Sequence, residues 1–406
     1  MGERVGPKEK LIQGKAMIPR EENEILTRVG PGTPAGELLR RYWQPVAGSS
    51  ELTGETPIVK VRLLGEDLAL YRDKSGAYGL VGEQCPHRKA SLAFGRVEED
   101  GIRCAYHGWK FDCTGACIET PAEPEGSTLM GSIKHIAYPV EKLGGMLFAY
   151  MGPGPAPALP RWDVLAWEHG KRYIRKFEPL RCNWLQCMEN SVDPSHLYWL
   201  HGNTAHLKPM LDGYQETHEF LKFEHGIMKR RTTPPQKPGG APQVDQHPLL
   251  FPNTLRHVSR DKESGRHRHN LQFRMPIDDT NTQVIVANFE PVESEHAAAD
   301  SDAPVEHIQF RTGENRDGYD MNMVASQDFM AWETQGPIMD RSQEHLGLAD
   351  KGLVELRRML REQIDIVAQG GTPMGVVPAD QQRPIIELDV INERIGLNRP
   401  ETRGAA

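Results

Sequence analysis

Two short strings constrain this chain most: Cys85-Pro86-His87 and, after sixteen intervening residues, Cys104-Ala105-Tyr106-His107. They supply two thiols and two imidazoles as paired ligands on neighbouring loops. In a 2Fe–2S cluster two Cys can hold one iron and two His the other. Neutral imidazoles leave such a cluster less negative than thiolates would, which raises its reduction potential. A Cys2His2 zinc site draws on a similar donor set. The alternating Cys, His, Cys, His order and the Pro in the first loop favour the cluster over zinc.

A cluster alone would make an electron carrier, but 406 residues leave room for a second, larger domain. Composition is that of a globular chain, 38% hydrophobic and 26% charged, with a formal net charge of −8. That mild acidity, with no basic stripe interleaved with aromatics, argues against a nucleic-acid partner. No apolar run is long enough to span a membrane, and the charged residues 1–15 lack the apolar core of a secretory signal. Beyond Cys85 and Cys104, the cysteines at 113, 117, 182 and 187 follow no small secreted disulfide framework. The expected location is the cytoplasm.

Apolar residues Leu26, Val29, Leu38 and Leu39 are spaced for short helical segments, interrupted by Gly and Pro between Gly30 and Gly36. From Ile58 the period becomes two: Val59, Val61 and Leu63 alternate with polar residues, and a turn at Asp73-Lys74-Ser75-Gly76 precedes Tyr78 to Val81. This reads as a β-meander carrying the first ligand loop. A turn at Asp112 to Gly115 follows the second loop, and Met146 to Met151 is a closing strand. The Pro-rich stretch 152–160 is a stiff linker. The expected division is an N-terminal helical segment over 1–48, a β domain over 49–152 and a catalytic domain over 161–400.

Past the linker stands Glu189-Asn190-Ser191-Val192-Asp193-Pro194-Ser195-His196-Leu197-Tyr198-Trp199-Leu200-His201. His196 and His201 are five apart, close to the helical spacing that puts two side chains on one face. Two imidazoles and a carboxylate on one face of a metal make the facial triad of non-haem Fe(II) oxygenases, with positions left open for dioxygen. Taken alone this string is weak, since surface or core histidines would read the same way. Downstream of a cluster motif it gains weight, because an iron site could use electrons delivered singly.

With Gly108-Trp109 following the last cluster ligand, the chain resembles the α (oxygenase) subunit of a Rieske non-haem iron aromatic-ring oxygenase of the phthalate-dioxygenase type. The resemblance runs from Met17-Ile18-Pro19-Arg20-Glu21-Glu22-Asn23 to near Gly370. It includes Asn322-Met323-Val324-Ala325-Ser326-Gln327-Asp328 and Gln335-Gly336-Pro337-Ile338-Met339-Asp340-Arg341. It implies that Cys85, His87, Cys104 and His107 bind a Rieske 2Fe–2S cluster, and that His196, His201 and Asp328 bind one Fe(II). Asp328 is preferred over Asp320 and Asp340 because it stands seven residues before Gln335, as in the family. The implied fold class is α+β: an N-terminal all-β Rieske domain, then a catalytic domain with helices on an antiparallel sheet. Segments around Leu271 to Met275 and Gln283 to Phe289, with a turn at Asp278 to Asn281, fit that sheet. Leu353, Leu356, Leu360, Ile364 and Val367 mark a helix over 351–368 packed on it. Residues 234–242 and 290–304 read as loops.

The resemblance also implies that Asp193 bridges the two metal sites across a subunit boundary. Its position three before His196 allows a carboxylate–imidazole hydrogen bond that would orient the ligand. Alternatively it caps the helix carrying His196, with Pro194 at the first helical position; both can hold together. Asn190 stands where relatives place an amide near the iron. A head-to-tail ring follows, a homotrimer or double trimer. The chain has no Gly-x-Gly-x-x-Gly loop after a strand, so NAD(P)H would serve through a separate flavin/iron–sulfur reductase. The implied reaction is O2-dependent hydroxylation of a small aromatic compound, and the resemblance favours an aromatic carboxylate. O-demethylation of a methoxylated aromatic acid is the alternative, and a Rieske electron-transfer protein is a remote third. Lys229, Arg230, Arg231, Arg256 and His257 are candidate anchors, or else ordinary solvated charges. The stretch from Gly240 to Asn253 departs from the phthalate enzyme.

Overall fold

A computed structural model describes residues 18–202, 216–235, 239–261, 264–315, 317–379 and 384–397. The charged stretch 1–15 and the middle of the 234–242 loop lie outside the described residues. Strands Ile58–Leu63, Glu66–Arg72 and Tyr78–Gly82 form the meander, which Ala137–Tyr138 extends to a four-stranded sheet. A second four-stranded sheet contains Arg96–Glu98, Gly101–Arg103, Lys110–Phe111 and Cys117–Glu119. The first ligand loop follows the meander, and the second connects the middle strands of the second sheet.

Residues 43–48, assigned from sequence to the helical segment, form a strand instead. Trp43–Gly48 pairs with the closing strand Met146–Tyr150, in register from Trp43↔Tyr150 to Gly48↔Met146. The whole strand is buried, so it lacks the polar alternation that marks half-buried strands. Its Pro45 sits where the register shifts, at an irregularity that tolerates a missing N–H.

The second domain is built on a nine-stranded sheet. Its path runs through Thr217–Phe223, Gly226–Thr233, Gln243–Leu250, Thr254–Arg260, His267–Asp278, Asn281–Pro291, Gly170–Phe177 and Val305–Ile308, with Ile391–Asn392 pairing off it. All these pairs are antiparallel except the last two strands of the path. Thus 305–308, part of no predicted element, is a parallel edge strand. Helices Trp184–Ser191, Val324–Glu333 and Lys351–Ala368 pack together beside the sheet.

The N-terminal helices Arg20–Thr27 and Pro34–Leu39 wedge the two domains together. Leu26, Leu38 and Leu39 share one core with Val61 and Leu63 of the meander and with Leu356, Leu360 and Ile364 of the long helix. Each such side chain contributes about 1.5–3 kcal/mol when buried. The two-residue turn Leu64-Gly65 has positive φ at both positions, as a tight hairpin of this twist requires. It docks on the large sheet, with Leu64 N donating to Pro276 O and Gly65 N to Ile277 O. Burial of Leu64 in that contact offsets the cost of its unusual backbone. The Pro-rich stretch is pinned too: Leu159 is buried and Ala158 N donates to Val377 O. Among the described residues no helix is long and apolar enough to cross a membrane.

Candidate functional site

The two Cys–His loops have the same backbone construction. Cys85 O accepts from Lys89 N, and Cys104 O accepts from Gly108 N, at 2.9 and 3.1 Å. The closing residue has positive φ in each, +62° at Lys89 and +76° at Gly108. The first N–H of each loop is held as well, Cys85 N by Ala90 O and Cys104 N by Trp109 O. Both thiols are buried in a core with Leu92, Ile102 and Phe111, whereas His87 is exposed and His107 half-buried. The two imidazoles lie 4.5 Å apart between ring centroids, and His87 stacks flat on Trp109. Burial chiefly, with Cys104 beside it, pushes the Cys85 thiol up to about 11. Two adjacent buried thiols and two imidazoles at the rim fit a cluster with one thiolate-held and one imidazole-held iron.

The second constellation is assembled from distant parts of the chain. His196 begins the short helix His196–Trp199, and its turn continues through Leu200 N to His196 O and Gly202 N to Tyr198 O. That continuation turns His201 back towards His196, with ring centroids 5.5 Å apart. Asp328 comes from the helix Val324–Glu333. His196, His201 and Asp328 each offer a ligand atom, all within 4.8 Å of one another. Asp328 Oδ1 lies 3.7 Å from His196 Nε2 and 3.3 Å from His201 Nε2. Asp320 instead accepts from Asn322 N, and exposed Asp340 pairs with Arg20.

Neighbouring groups aim these ligands. His201 Nδ1 lies 2.7 Å from Gln327 Oε1, while the Gln327 amide nitrogen donates to Met321 O. The amide is therefore oriented with its oxygen to the ring, so Nδ1 carries the proton and Nε2 offers its lone pair. Nothing in the sequence reading singled out Gln327, although it adjoins Asp328. Asn190 donates to Asp328 Oδ1 at 3.3 Å, putting its amide beside the triad. Asp193 accepts from Ser195 N at 2.8 Å, and its other oxygen is 3.8 Å from His196 Nδ1. That separation is beyond a hydrogen bond, and buried His196 Nδ1 has no hydrogen-bond partner among the described residues. The helix opens at Ser195 rather than at Asp193, so Asp193 shapes the turn before the helix. Burial lowers the His196 pKa against the pull of Asp328 and Asp193. For His201 burial acts the same way, but the bonds to Asp328 and Gln327 outweigh it and the shift is upward. Beneath the triad, buried Glu189 is gripped by Arg341 and Arg357, which ties the helix Trp184–Ser191 to its neighbours.

A cavity of about 250 Å³ opens beside the triad. Lys229 and Arg231 line it, whereas Arg230 between them engages Gln246 and Glu219, as strand alternation requires. Arg231 is paired with Asp245, whose other oxygen lies 2.7 Å from His247 Nδ1. His247 stacks on His257 at 4.5 Å. Lys229 has no salt bridge among the described residues, and its burial, then Arg231, lower its pKa to about 8. Arg256, one of the candidate anchors, is instead committed to the fully buried Asp163, with further bonds to His269 and His257 O. A charge pair buried this completely is unavailable to a ligand. Arg274, which the sequence did not flag, also lines the cavity; its two terminal nitrogens bond Gln272, and no carboxylate pairs with it among the described residues.

A cluster-binding β domain joined to a helix-covered sheet with a His, His, carboxylate pocket defines an electron-fed oxygenase architecture. Comparison with known proteins agrees. Residues 42–139 match the Rieske [2Fe-2S] domain, and residues 307–393 match the LigXa C-terminal domain like family. The chain is 40% identical over 405 residues to the 5,5'-dehydrodivanillate O-demethylase oxygenase subunit of Sphingobium sp., covering 96% of this chain and 92% of that one. It is 34% identical to the phenoxybenzoate dioxygenase subunit alpha of Ectopseudomonas oleovorans, over 88% of each. To the phthalate 4,5-dioxygenase oxygenase subunit of Pseudomonas putida it is 31% identical, over 88% of this chain and 89% of that one. The solved structure of NdmA of Pseudomonas putida CBB5 with caffeine shares the fold, with a TM-score of 0.63 at 20% identity over 86% of this chain and 99% of that one. This chain belongs to the Rieske oxygenases, as an oxygenase subunit and an oxygen-incorporating oxidoreductase with a Rieske 2Fe–2S domain. The zinc reading of Cys85, His87, Cys104 and His107 is thereby set aside.

Proposed function

We propose that this subunit oxidises an aromatic carboxylate with O2, drawing electrons from NAD(P)H through a separate flavin/iron–sulfur reductase. Cys85, His87, Cys104 and His107 would hold the cluster, and His196, His201 and Asp328 one Fe(II). The observation that carries this is the convergence of those three ligand atoms within 4.8 Å beside a cavity lined by cations. When bound, the cluster supplies electrons singly and the iron supplies dioxygen activation.

The protein's share is placement. Gln327 fixes the tautomer of His201, Asn190 restrains Asp328, and Lys229 offers a cation to a substrate carboxylate. Asp193 faces His196 Nδ1 with one oxygen and could accept from His107 of a neighbouring copy with another. That role needs a head-to-tail ring, a trimer or a stack of two. Cytoplasmic location suits the reductase.

A second reading, O-demethylation of a methoxylated aromatic acid, is favoured by the 40% identity to an O-demethylase subunit over nearly its full length. The two are separated by supplying holoenzyme with reductase, NADH, O2 and a methoxylated benzoate. Demethylation consumes one O2 and one NADH for each phenol, formaldehyde and water formed. Ring dihydroxylation gives a diol without formaldehyde. If neither product forms from any aromatic acid while O2 uptake tracks non-aromatic substrates, the carboxylate reading is wrong.

A further inference from the structure

The cavity beside the triad is one half of a longer trough. Strands Gly226–Thr233 and Gln243–Leu250 stay paired along their length, but Gln243–Leu250 meets Thr254–Arg260 only at Leu249↔Leu255 and Leu250↔Thr254. Beyond those pairs the strands part, and the opened face holds Lys229, opposite His247, and then His257. A second cavity of about 270 Å³ continues along the same face. Both cavities touch His257, Gln272, Arg274, Val324 and Asp328. The registers show one continuous surface: Leu255↔Gln272, Gln272↔Val286 and Val286↔Arg175 are successive cross-strand partners.

The two ends differ in chemistry. One carries Lys229, which has no salt bridge among the described residues, beside His247 and Arg231. The other is walled by Phe177, Val284, Val286, Phe329 and Trp332. Two of its cations are neutralised, Arg175 by Glu306 and Arg268 by Asp261 and Glu290, while Arg274, bonded to Gln272, stands at the junction that both cavities share. Asp328 stands over the junction. From the Lys229 strand to the Val286 strand is four strand spacings, about 19 Å. A single benzoate ring is far shorter and cannot occupy both ends.

Resting on the aromatic-acid reading above, we infer that the substrate is an elongated two-ring aromatic carboxylate lying across the strands. Its acid group meets Lys229, the reacting ring lies under Asp328, and the second ring fills the apolar chamber at Val284 and Val286. The apolar walls there favour a second ring, and Arg175 and Arg268 are already committed to carboxylates of the protein.

Isothermal titration of the anaerobic holoenzyme with biphenyl-3-carboxylate, benzoate and biphenyl-3-methanol tests this. Biphenyl-3-carboxylate should bind at least about tenfold tighter than benzoate. Val286→Trp, or Val284→Phe should the first not fold, should erase that margin and leave benzoate within about twofold. Lys229→Met should weaken both acids about tenfold and spare the alcohol. Equal binding of the two acids by the parent, or equal weakening of both by Val286→Trp, overturns the trough and leaves the oxygenase reading intact. Tight binding that depends on Val286, with no product when reductase and O2 are added, overturns the aromatic-acid reading and leaves the trough.

Discussion

The two proposed metal sites of this chain are built in opposite ways. The cluster loops are local: each pair of ligands lies within four residues, on a turn closed by its own backbone and a positive-φ residue. The triad instead joins His196 and His201 to Asp328, more than a hundred residues later, and takes its aim from Gln327, Asn190 and the Glu189–Arg341–Arg357 grip. A local site survives as long as its turns do. An assembled site depends on packing between helices, so distant substitutions reach it while sparing the cluster.

The sharpest way to break this contrast is to remove a ligand from each site. Cys104→Ser should abolish the 2Fe–2S spectrum and all reductase-driven turnover, since a hydroxyl is a poor substitute for thiolate on ferric iron. The catalytic domain should keep its fold and its binding of aromatic acids. An unchanged visible spectrum would sink the assignment.

Asp328→Ala should remove the only anionic ligand of the triad, so that metal analysis finds mononuclear iron reduced to a small fraction while the Rieske spectrum persists. Asp340→Ala is the control, because Asp340 is exposed and paired with Arg20. Iron lost from the control and kept in the Asp328 variant would transfer the role.

Asp193→Asn probes the proposed link between the sites and should lower turnover about a hundredfold with both metals present. The amide keeps the shape but removes the negative charge that faces His196 and that would accept from a neighbour's His107. Stopped-flow reoxidation of the reduced cluster at the parent rate, with substrate and O2 present, would exclude the bridging role.

Legibility followed the same contrast. Cys85, His87, Cys104 and His107 stand out in the sequence because their spacing is set within single turns, and the meander shows because its first strand, Ile58–Leu63, ends in alternating exposed and buried residues. The helix Lys351–Ala368 showed for the same reason, its buried Leu356, Leu360 and Ile364 falling at helical spacing. Trp43–Gly48, buried throughout and interrupted by Pro45, gave no alternation to read. Gln327 was invisible because its role exists only once His201 is brought to it, and Arg274 because the cavity it lines exists only in the folded sheet. Arg256 misled for a related reason: charge in a sequence does not reveal that Asp163, ninety-three positions away, already neutralises it.

The smallest expected effect concerns Lys229, whose pKa is lowered to about 8 by burial first and by Arg231 next, with Asp245, Asp193 and Glu216 acting the other way. The sign follows directly: a lowered pKa means the ammonium is present below about 8 and is lost as pH rises through that value. A carboxylate ligand needs the charged form, so its affinity should be flat from about pH 6 to about 7 and fall by up to tenfold per unit above about 8, where the acid itself stays ionised. The facing groups do not blur this window. Burial lowers the pKa of His247 and of His257, which keeps both neutral there, and Asp245 and Glu216 are lowered and remain charged. Titration calorimetry with biphenyl-3-carboxylate across that range reads the curve, and Lys229→Met should flatten it. If the variant keeps the same fall above pH 8, a different group anchors the acid, and the cationic end of the trough lies elsewhere than at Lys229.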